Sequence, residues 1–600
     1  MLVFESKRIK PALLAGLLSV TGSFAFAVEL GFKVSGQDRD FAEYLKSATL
    51  TSDLRDKDAS TNQDYMAAAR ADYARLVGAL YERGFYGGTV SIRVNGREAD
   101  EIDPLSTPRT INRIDYHVTP GPRFTFGTAR VAPLAAGTEI PEGFAPNKPA
   151  NSGLVPAAAR AGIEGWRNQG HAKVDVAGQS VTAYHPDRRL NVDIGLTPGP
   201  RLRFGPLIHE GESRVRSERI VAIAGLPEGE IYSPEEMKDA ADRLRRTGAF
   251  RSVVLNEADE IGPGNTLPVT VEVTDTKPRR FGFGAELSSL EGITLSTFWL
   301  HRNLWGGAER LRIDGEVSGI GGDTDGIDYI LSARLDRPAI FTPDTSHYFD
   351  FRLQELDEPD YNESSLRIGT GLSHIFNDNL TGELGVAYQY SEIEDDLGNR
   401  TRQHLLFPGK LTFDNRNDPL DATRGVYLGL EVTPFLGLNE SGGGARIYSD
   451  TRSYFALGRD EDIVLAGRAQ LGTVTGADLE DVPADMLFYS GGAGTVRGQG
   501  YQSLAVDLGG GNRIGGRSFM AFSAEIRAAV ARKIDLVGFA DTGYVGRDAF
   551  GGGTGDWHSG AGLGLRYDTG IGPIRVDVAT PLDDDAGKSF ELYIGIGQAF

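Results

Sequence analysis

Residues 520–530 read Met520-Ala521-Phe522-Ser523-Ala524-Glu525-Ile526-Arg527-Ala528-Ala529-Val530. Met520, Phe522, Ala524, Ile526, Ala528 and Val530 fall on one side of an extended chain, opposite Ser523, Glu525 and Arg527. Side chains alternate across a strand with period two, so this stretch predicts a strand with one apolar and one polar face. The same beat recurs upstream and downstream. Phe349, Phe351 and Leu353 alternate with Tyr348, Asp350, Arg352 and Gln354. Ala561, Leu563, Leu565 and Tyr567 alternate with Gly562, Gly564, Arg566 and Asp568, and Ile574, Val576 and Val578 bracket Arg575 and Asp577. Sixteen strand-like segments fit between Gly282 and Phe600 with no helical periodicity among them, the last running from Phe590 to Phe600. A soluble β-sandwich also alternates. An even number of strands joined by alternating short turns and longer loops instead predicts a transmembrane β-barrel of 16 antiparallel strands, which leaves no backbone edge unpaired in lipid.

The amino terminus supplies the route to such a membrane. Lys7, Arg8 and Lys10 precede a mostly apolar run from Pro11 to Phe26, and Ala25-Phe26-Ala27 fits a cleavage site. Residues 1–27 therefore read as a secretion signal, too short for the roughly 20 residues of a spanning helix. The expected location is the outer membrane of a Gram-negative cell.

Between signal and barrel lies a repeat. Val118-Thr119-Pro120-Gly121-Pro122-Arg123-Phe124-Thr125-Phe126-Gly127 returns as Leu196-Thr197-Pro198-Gly199-Pro200-Arg201-Leu202-Arg203-Phe204-Gly205, and a weaker copy ends at Phe281-Gly282. The Phe-Gly steps lie 78 and 77 residues apart. Upstream of each copy stands a helical run closed by glycine: Tyr73 to Arg83 before Gly84, Ala157 to Gln169 before Gly170, and Pro234 to Thr247 before Gly248. Glycine at that position fits a left-handed helix C-cap. A strand is expected after each, over Thr89 to Val94, Ala172 to Val176 and Ser252 to Asn256. Equal spacing and the same order predict three copies of one α/β module, at 28–122, 123–202 and 203–278, with the barrel at 279–600.

Composition narrows the function. With 62 Lys+Arg against 83 Asp+Glu the net charge is −21, which disfavours a nucleic-acid partner. Cysteine is absent, so thiol nucleophiles, Cys zinc sites and disulfides are excluded. The nine histidines form no H-E-x-x-H pair, and neither a G-x-S-x-G elbow nor a P-loop occurs. The run Gly551-Gly552-Gly553-Thr554-Gly555-Asp556 and the triplet Asp583-Asp584-Asp585 read as solvated loops. No cofactor, metal or catalytic residue is expected; the protein reads as a non-enzyme.

The third module, Ile220 to Asn256, resembles a POTRA domain, with Ala224-Gly225-Leu226, Gly229-Glu230-Ile231-Tyr232, a helix, and Gly248-Ala249-Phe250 leading into a strand. Three such modules before a barrel resemble the outer-membrane insertase superfamily that contains the BamA, TamA and two-partner secretion branches. Val496-Arg497-Gly498-Gln499-Gly500-Tyr501 resembles its VRG[FY] loop, with Gln499 where an aromatic usually stands. Phe539-Ala540-Asp541-Thr542-Gly543 resembles its FxDxG strand. Asn303 to Gly307, Asp414 to Gly425 and Gly572 to Asp577 resemble its first hairpin region, a turn and the penultimate strand. Three modules, together with Tyr501-Gln502-Ser503-Leu504, resemble the TamA branch.

The resemblance implies a lumen lock in which Arg497 and Gly498 of the loop meet Asp541 and Gly543 of the wall; from the residues alone Arg497 also suits a solvent-facing loop. It implies a weak seam between the first and last strands, involving Phe283, Ala285, Gly595, Gly597 and Phe600. Interior glycines weaken a strand, although Gly595 and Gly597 also suit simple curvature and Phe600 an interface aromatic. The implied function is insertion of outer-membrane proteins such as autotransporters. The implied partners are unfolded clients, the lipid bilayer and a TamB-like inner-membrane-anchored protein on the POTRA side. A two-partner secretion channel and a passive porin are the alternatives. The first should carry a plug helix before the modules, for which the sequence after Val28 leaves no room. Phe85, Tyr86 and Phe250 suit either partner contact or core packing after a helix cap.

Overall fold

The computed structural model describes residues 28–55, 60–103, 108–289, 291–322, 326–439, 441–458, 461–570, 572–583 and 590–600. The signal segment 1–27, Asp584 and Asp585 lie outside them. The chain divides into two compact units, one carrying the first two α/β modules and the other the third module and the barrel.

In the first module strand Glu29–Val34 runs parallel to Arg113–Thr119, which pairs on its other side with Thr89–Val94. Helix Asn62–Glu82 covers this sheet and begins at a capping box formed by Thr61 and Asp64. It starts well before the Tyr73 expected from the sequence, because Ala67-Ala68-Ala69 gives its first turns little apolar periodicity. Asp72 on this helix is buried and accepts hydrogen bonds from Leu50 N, Thr51 N, Thr51 Oγ1 and Tyr116 Oη. A buried carboxylate is tolerable when donors saturate it, and here it ties the first turn of helix Leu50–Arg55 to the sheet.

The second module repeats the parallel pairing, Thr125–Ala132 with Arg189–Thr197, but carries one helix, Leu154–Arg167. Its antiparallel strand runs over Asp175–Tyr184 rather than Ala172 to Val176. This is an edge strand of mostly polar, exposed residues with a bulge after Val176, so hydrophobic patterning conceals it. The sequence repeat has a physical basis in both modules. Gly84 and Gly170 adopt φ of +82° and +95°, where a side chain would be strained. Arg123 Nε then donates to the carbonyl of Arg83 and Arg201 Nε to that of Gln169, each at 3.0 Å. Each arginine satisfies a helix-terminal carbonyl and complements the negative end of the helix dipole. Phe85 is buried in the core of the first module and Phe250 in that of the third, and both serve packing.

The third module has strands Arg203–Glu210, Thr266–Asp275 and Phe250–Glu257 with helices Ser217–Ala224 and Pro234–Arg246. It is fastened to the barrel. Arg243 and Arg246 both reach Asp344, at 3.0 and 2.5 Å. Arg216 donates from its backbone to Gly306 O at 2.9 Å and from its side chain to Trp305 O at 2.7 Å. Arg219 donates to the carbonyl of Pro338.

The barrel closes through sixteen strands: β1 (Arg279–Ser288), β2 (Gly292–His301), β3 (Arg310–Ile320), β4 (Asp328–Arg337), β5 (Thr345–Glu358), β6 (Tyr361–Asn377), β7 (Leu380–Asp395), β8 (Gly398–Leu406 continued by Gly409–Asp414), β9 (Gly425–Leu438), β10 (Gly444–Leu457), β11 (Ile463–Thr475), β12 (Ser518–Ala531), β13 (Ile534–Gly546), β14 (Gly555–Tyr567), β15 (Ile574–Pro581) and β16 (Glu591–Ile596). The two halves of β8 share one register against β7 and β9. They are separated by Pro408, which has no N–H to donate. The period-two reading matches the two faces. Phe349, Leu353, Phe522, Ile526, Leu563 and Val578 point outward and are exposed, while Glu525, Arg527, Arg566, Arg575 and Asp577 point into the lumen and are buried. The apolar face suits acyl chains and the polar face an interior that is packed by protein.

Candidate lumen loop and barrel seam

The long loop between β11 and β12 turns back into the barrel. Arg497 is only 3% exposed. Its Nε lies 2.7 Å from Asp541 Oδ2 and its Nη2 3.0 Å from Oδ1, a two-pronged contact, and its backbone N donates to the same carboxylate at 3.1 Å. Nη1 lies 2.7 Å from Glu525 on β12 and 3.4 Å from Asp577 on β15. The guanidinium also stands 3.6 Å over the ring of Phe539. A planar fork with several donors suits this constellation better than an ammonium would.

The two glycines make the socket. At Gly543 a Cβ would come within 2.4 Å of Ser490 Oγ and 2.8 Å of Val496 Cγ2, so β13 needs glycine there to admit the loop. At Gly498, φ is +91° and a Cβ would strike the backbone of Thr580 at 2.7 Å. Gln499, which departs from the usual aromatic, donates to Ser559 O at 2.7 Å and to Asp583 Oδ2 at 2.6 Å. It holds the loop by polar contacts. Arg497, Gly498, Asp541 and Gly543 thus converge on one site.

Sequence reading missed the partners that enlarge this site. Glu525 also contacts Arg527 at 2.8 Å, Asp577 contacts Arg566, and Arg575 reaches Glu286 on β1 at 2.8 Å. Four arginines therefore face four carboxylates, each charge with an opposite partner; all but the half-exposed Glu286 are buried, and ions removed from water require such pairing. The signal was present in the alternation, which put these residues on the polar face of their strands. It could not reveal which strands become neighbours across a lumen.

The seam is short. β1 and β16 share two ladder pairs, Leu287 with Ile594 and Ser288 with Tyr593. Beyond them Ser289 N donates to Leu592 O at 3.0 Å and Ser289 Oγ to Glu591 at 2.7 Å. By contrast β5 and β6 share fourteen pairs. Phe283 and Ala285 pair with Thr297 and Leu295 of β2, and among the described residues neither has a ladder partner on its other edge. Phe283 is 86% exposed. Gly595 lies on β16, where a Cβ would sit 3.3 Å from both Arg575 Nη2 and Glu286 Oε1; its bareness gives the Arg575–Glu286 pair its path across the strand.

The expected strand to Phe600 stops at Ile596, because Gly597 adopts φ of +94° and turns the chain inward. Gln598 then donates to Asp421 and accepts from Arg566. Phe600 does not belong to the seam: it is buried with Ala422, Tyr454 and Ala466 inside the barrel.

A sixteen-stranded barrel with a lumen-filling loop, carrying an α/β module fastened to its turns, defines an outer-membrane assembly or transport barrel. The comparisons agree. Residues 303–600 match the Omp85 superfamily domain, and residues 202–275 match the POTRA model described as surface antigen variable number repeat. The crystal structure of BamA from Haemophilus ducreyi lacking POTRA domains 1–3 is similar at a TM-score of 0.62 and 15% identity, over 79% of this chain and all of that one. CdiB from Acinetobacter baumannii is similar at a TM-score of 0.50 and 13% identity, over 80% of this chain and 90% of that one. The chain belongs to the Omp85 superfamily, as an outer-membrane β-barrel protein with a periplasmic POTRA region.

Proposed function

We propose that this protein inserts outer-membrane client proteins, autotransporters among them, through the seam between β1 and β16 in a Gram-negative outer membrane. The carrying observation is the two-pair ladder at that seam. Each net hydrogen bond contributes about 0.5–1.5 kcal/mol, so parting this seam costs far less than parting any long strand pair. Among the described residues the edge of β1 from Arg279 to Glu286 that turns away from β2 has no ladder partner, so it offers N–H and C=O groups to an incoming strand, the chemistry of strand addition. No bond is made or broken covalently; client folding into lipid supplies the drive. Arg497, Gly498, Asp541 and Gly543 hold the loop in the lumen while the seam is closed. The three modules act as POTRA domains that receive unfolded clients and a TamB-like partner anchored in the inner membrane.

The test uses the cysteine-free background. Leu287 and Ile594 face each other directly, so Leu287→Cys with Ile594→Cys, oxidised in vesicles, closes the seam. Client insertion should stop on oxidation and return on reduction; undiminished insertion overturns the proposal. A secretion channel would give the opposite pattern, with transport unaffected by the closed seam but blocked by a loop cross-linked to β13.

A further inference from the structure

The lumen loop touches both sides of the seam. Ala493 N donates to Glu291 Oε1 at 2.8 Å, and Glu291 lies in the hairpin that joins β1 to β2. Gly492 makes room for that carboxylate: with φ of +88°, a Cβ there would lie 2.5 Å from Glu291 Oε1. Five residues further along the loop, Gly498 N donates to Tyr593 Oη on β16 at 3.1 Å. The Ala493 side chain also packs on the buried cluster of Val537, Phe539, Ala579 and Tyr593. Tyr593 is itself one of the two residues of β16 in the seam ladder.

We infer that the loop is the seam's internal clasp, with Glu291 and Tyr593 as positioning residues that pass the docked state of Arg497 to the β1–β16 junction. The wall contacts of Arg497 alone would anchor the loop to β12, β13 and β15. Glu291 and Tyr593 extend that anchorage across the gap between the two ends of the sheet. Their hydrogen bonds span the seam without adding a rung to it, so the seam is firm while the loop is seated and loose when it leaves. This inference rests on the seam being the working element, as proposed above.

The experiment is peptide-resolved hydrogen exchange on the full-length protein in phospholipid vesicles. Local opening sets exchange at such amides. Losing one hydrogen bond of ordinary strength should raise the open population about fivefold. Tyr593→Phe keeps the ring and removes the acceptor for Gly498 N, and Glu291→Ala removes the acceptor for Ala493 N. Each should speed exchange of the amides at 287–289 and 592–594 by about that factor, with β5 and β6 unchanged. In an Arg497→Ala background, where the loop is already free, Tyr593→Phe should add less than about twofold, since coupled contacts are not additive. Unchanged seam exchange in both single variants, or full additivity with Arg497→Ala, overturns the clasp. If the seam loosens as stated while client insertion is unaffected, the clasp stands and the insertion reading fails.

Discussion

Replacing Arg497 by alanine is the sharpest perturbation of this molecule. The substitution removes two contacts to Asp541, one to Glu525, one to Asp577 and the stacking on Phe539. The three carboxylates do not suffer alike. Glu525 keeps Arg527 and Asp577 keeps Arg566. Asp541, whose side chain is 1% exposed, has no other ion-pair partner among the described residues and keeps only the backbone N of residue 497. The cost is therefore that of one stranded buried carboxylate, about 3–5 kcal/mol, and not three times that. Adding Asp541→Asn removes the stranded charge and should recover roughly half of the loss, because the two sites belong to one pair. The assay is urea unfolding in vesicles together with the chymotrypsin lifetime of the bonds after Tyr489 and Tyr501. Alanine should lower the unfolding midpoint and shorten both lifetimes, and the double variant should fall between alanine and native. If the midpoint and both lifetimes match the native protein, the lock does not hold the loop and the reasoning is wrong.

Other outcomes follow from the same geometry. Asp344→Ala leaves Arg243 and Arg246 without their shared partner; proteolysis of the third module should quicken, and raising salt should mimic the effect in the native protein, since these pairs are partly exposed. Phe600→Ala removes a ring buried beside Tyr454 and Ala466 and should lower barrel stability by about 1.5–3 kcal/mol, with seam exchange unaltered, which separates the tail from the seam. In the first module, partial burial opposes ionisation of Glu98, but hydrogen bonds from Ser91, Arg93 and Tyr73 and the Arg93 charge outweigh it and bring its carboxyl down to about 2. A folded value below the unfolded ~4.3 gives stability that is complete above that pH and fades as pH falls toward 2. The protection of strand Thr89–Val94 relative to intrinsic exchange should therefore fall over that window, and Glu98→Gln should flatten the response.

Much of this is legible in the sequence. Alternation places the apolar faces of strands such as Met520 to Val530 correctly, because a half-buried strand cannot tolerate a slip of one residue without exposing its whole apolar set. The Pro-Gly-Pro-Arg repeat marks the modules because the arginine must reach a helix carbonyl at a fixed offset. Less legible were features set by long-range geometry. The edge strand Asp175–Tyr184 has little apolar side to reveal it. The end of β16 depends on the φ of Gly597, and Gly595 looks the same in sequence yet serves a different purpose. Glu286, Glu291 and Tyr593 gain meaning only when residues some 300 positions apart meet at the closure.

The fastening of the third module has a mechanical consequence. Its arginines grip the β2–β3 turn at Trp305 and Gly306 and the β4–β5 turn at Pro338 and Asp344. A load placed on that module is delivered to the ends of β2, β3, β4 and β5, the nearest of them one strand from β1. The module is a lever whose fulcrum lies one strand from the place where the cylinder is thinnest.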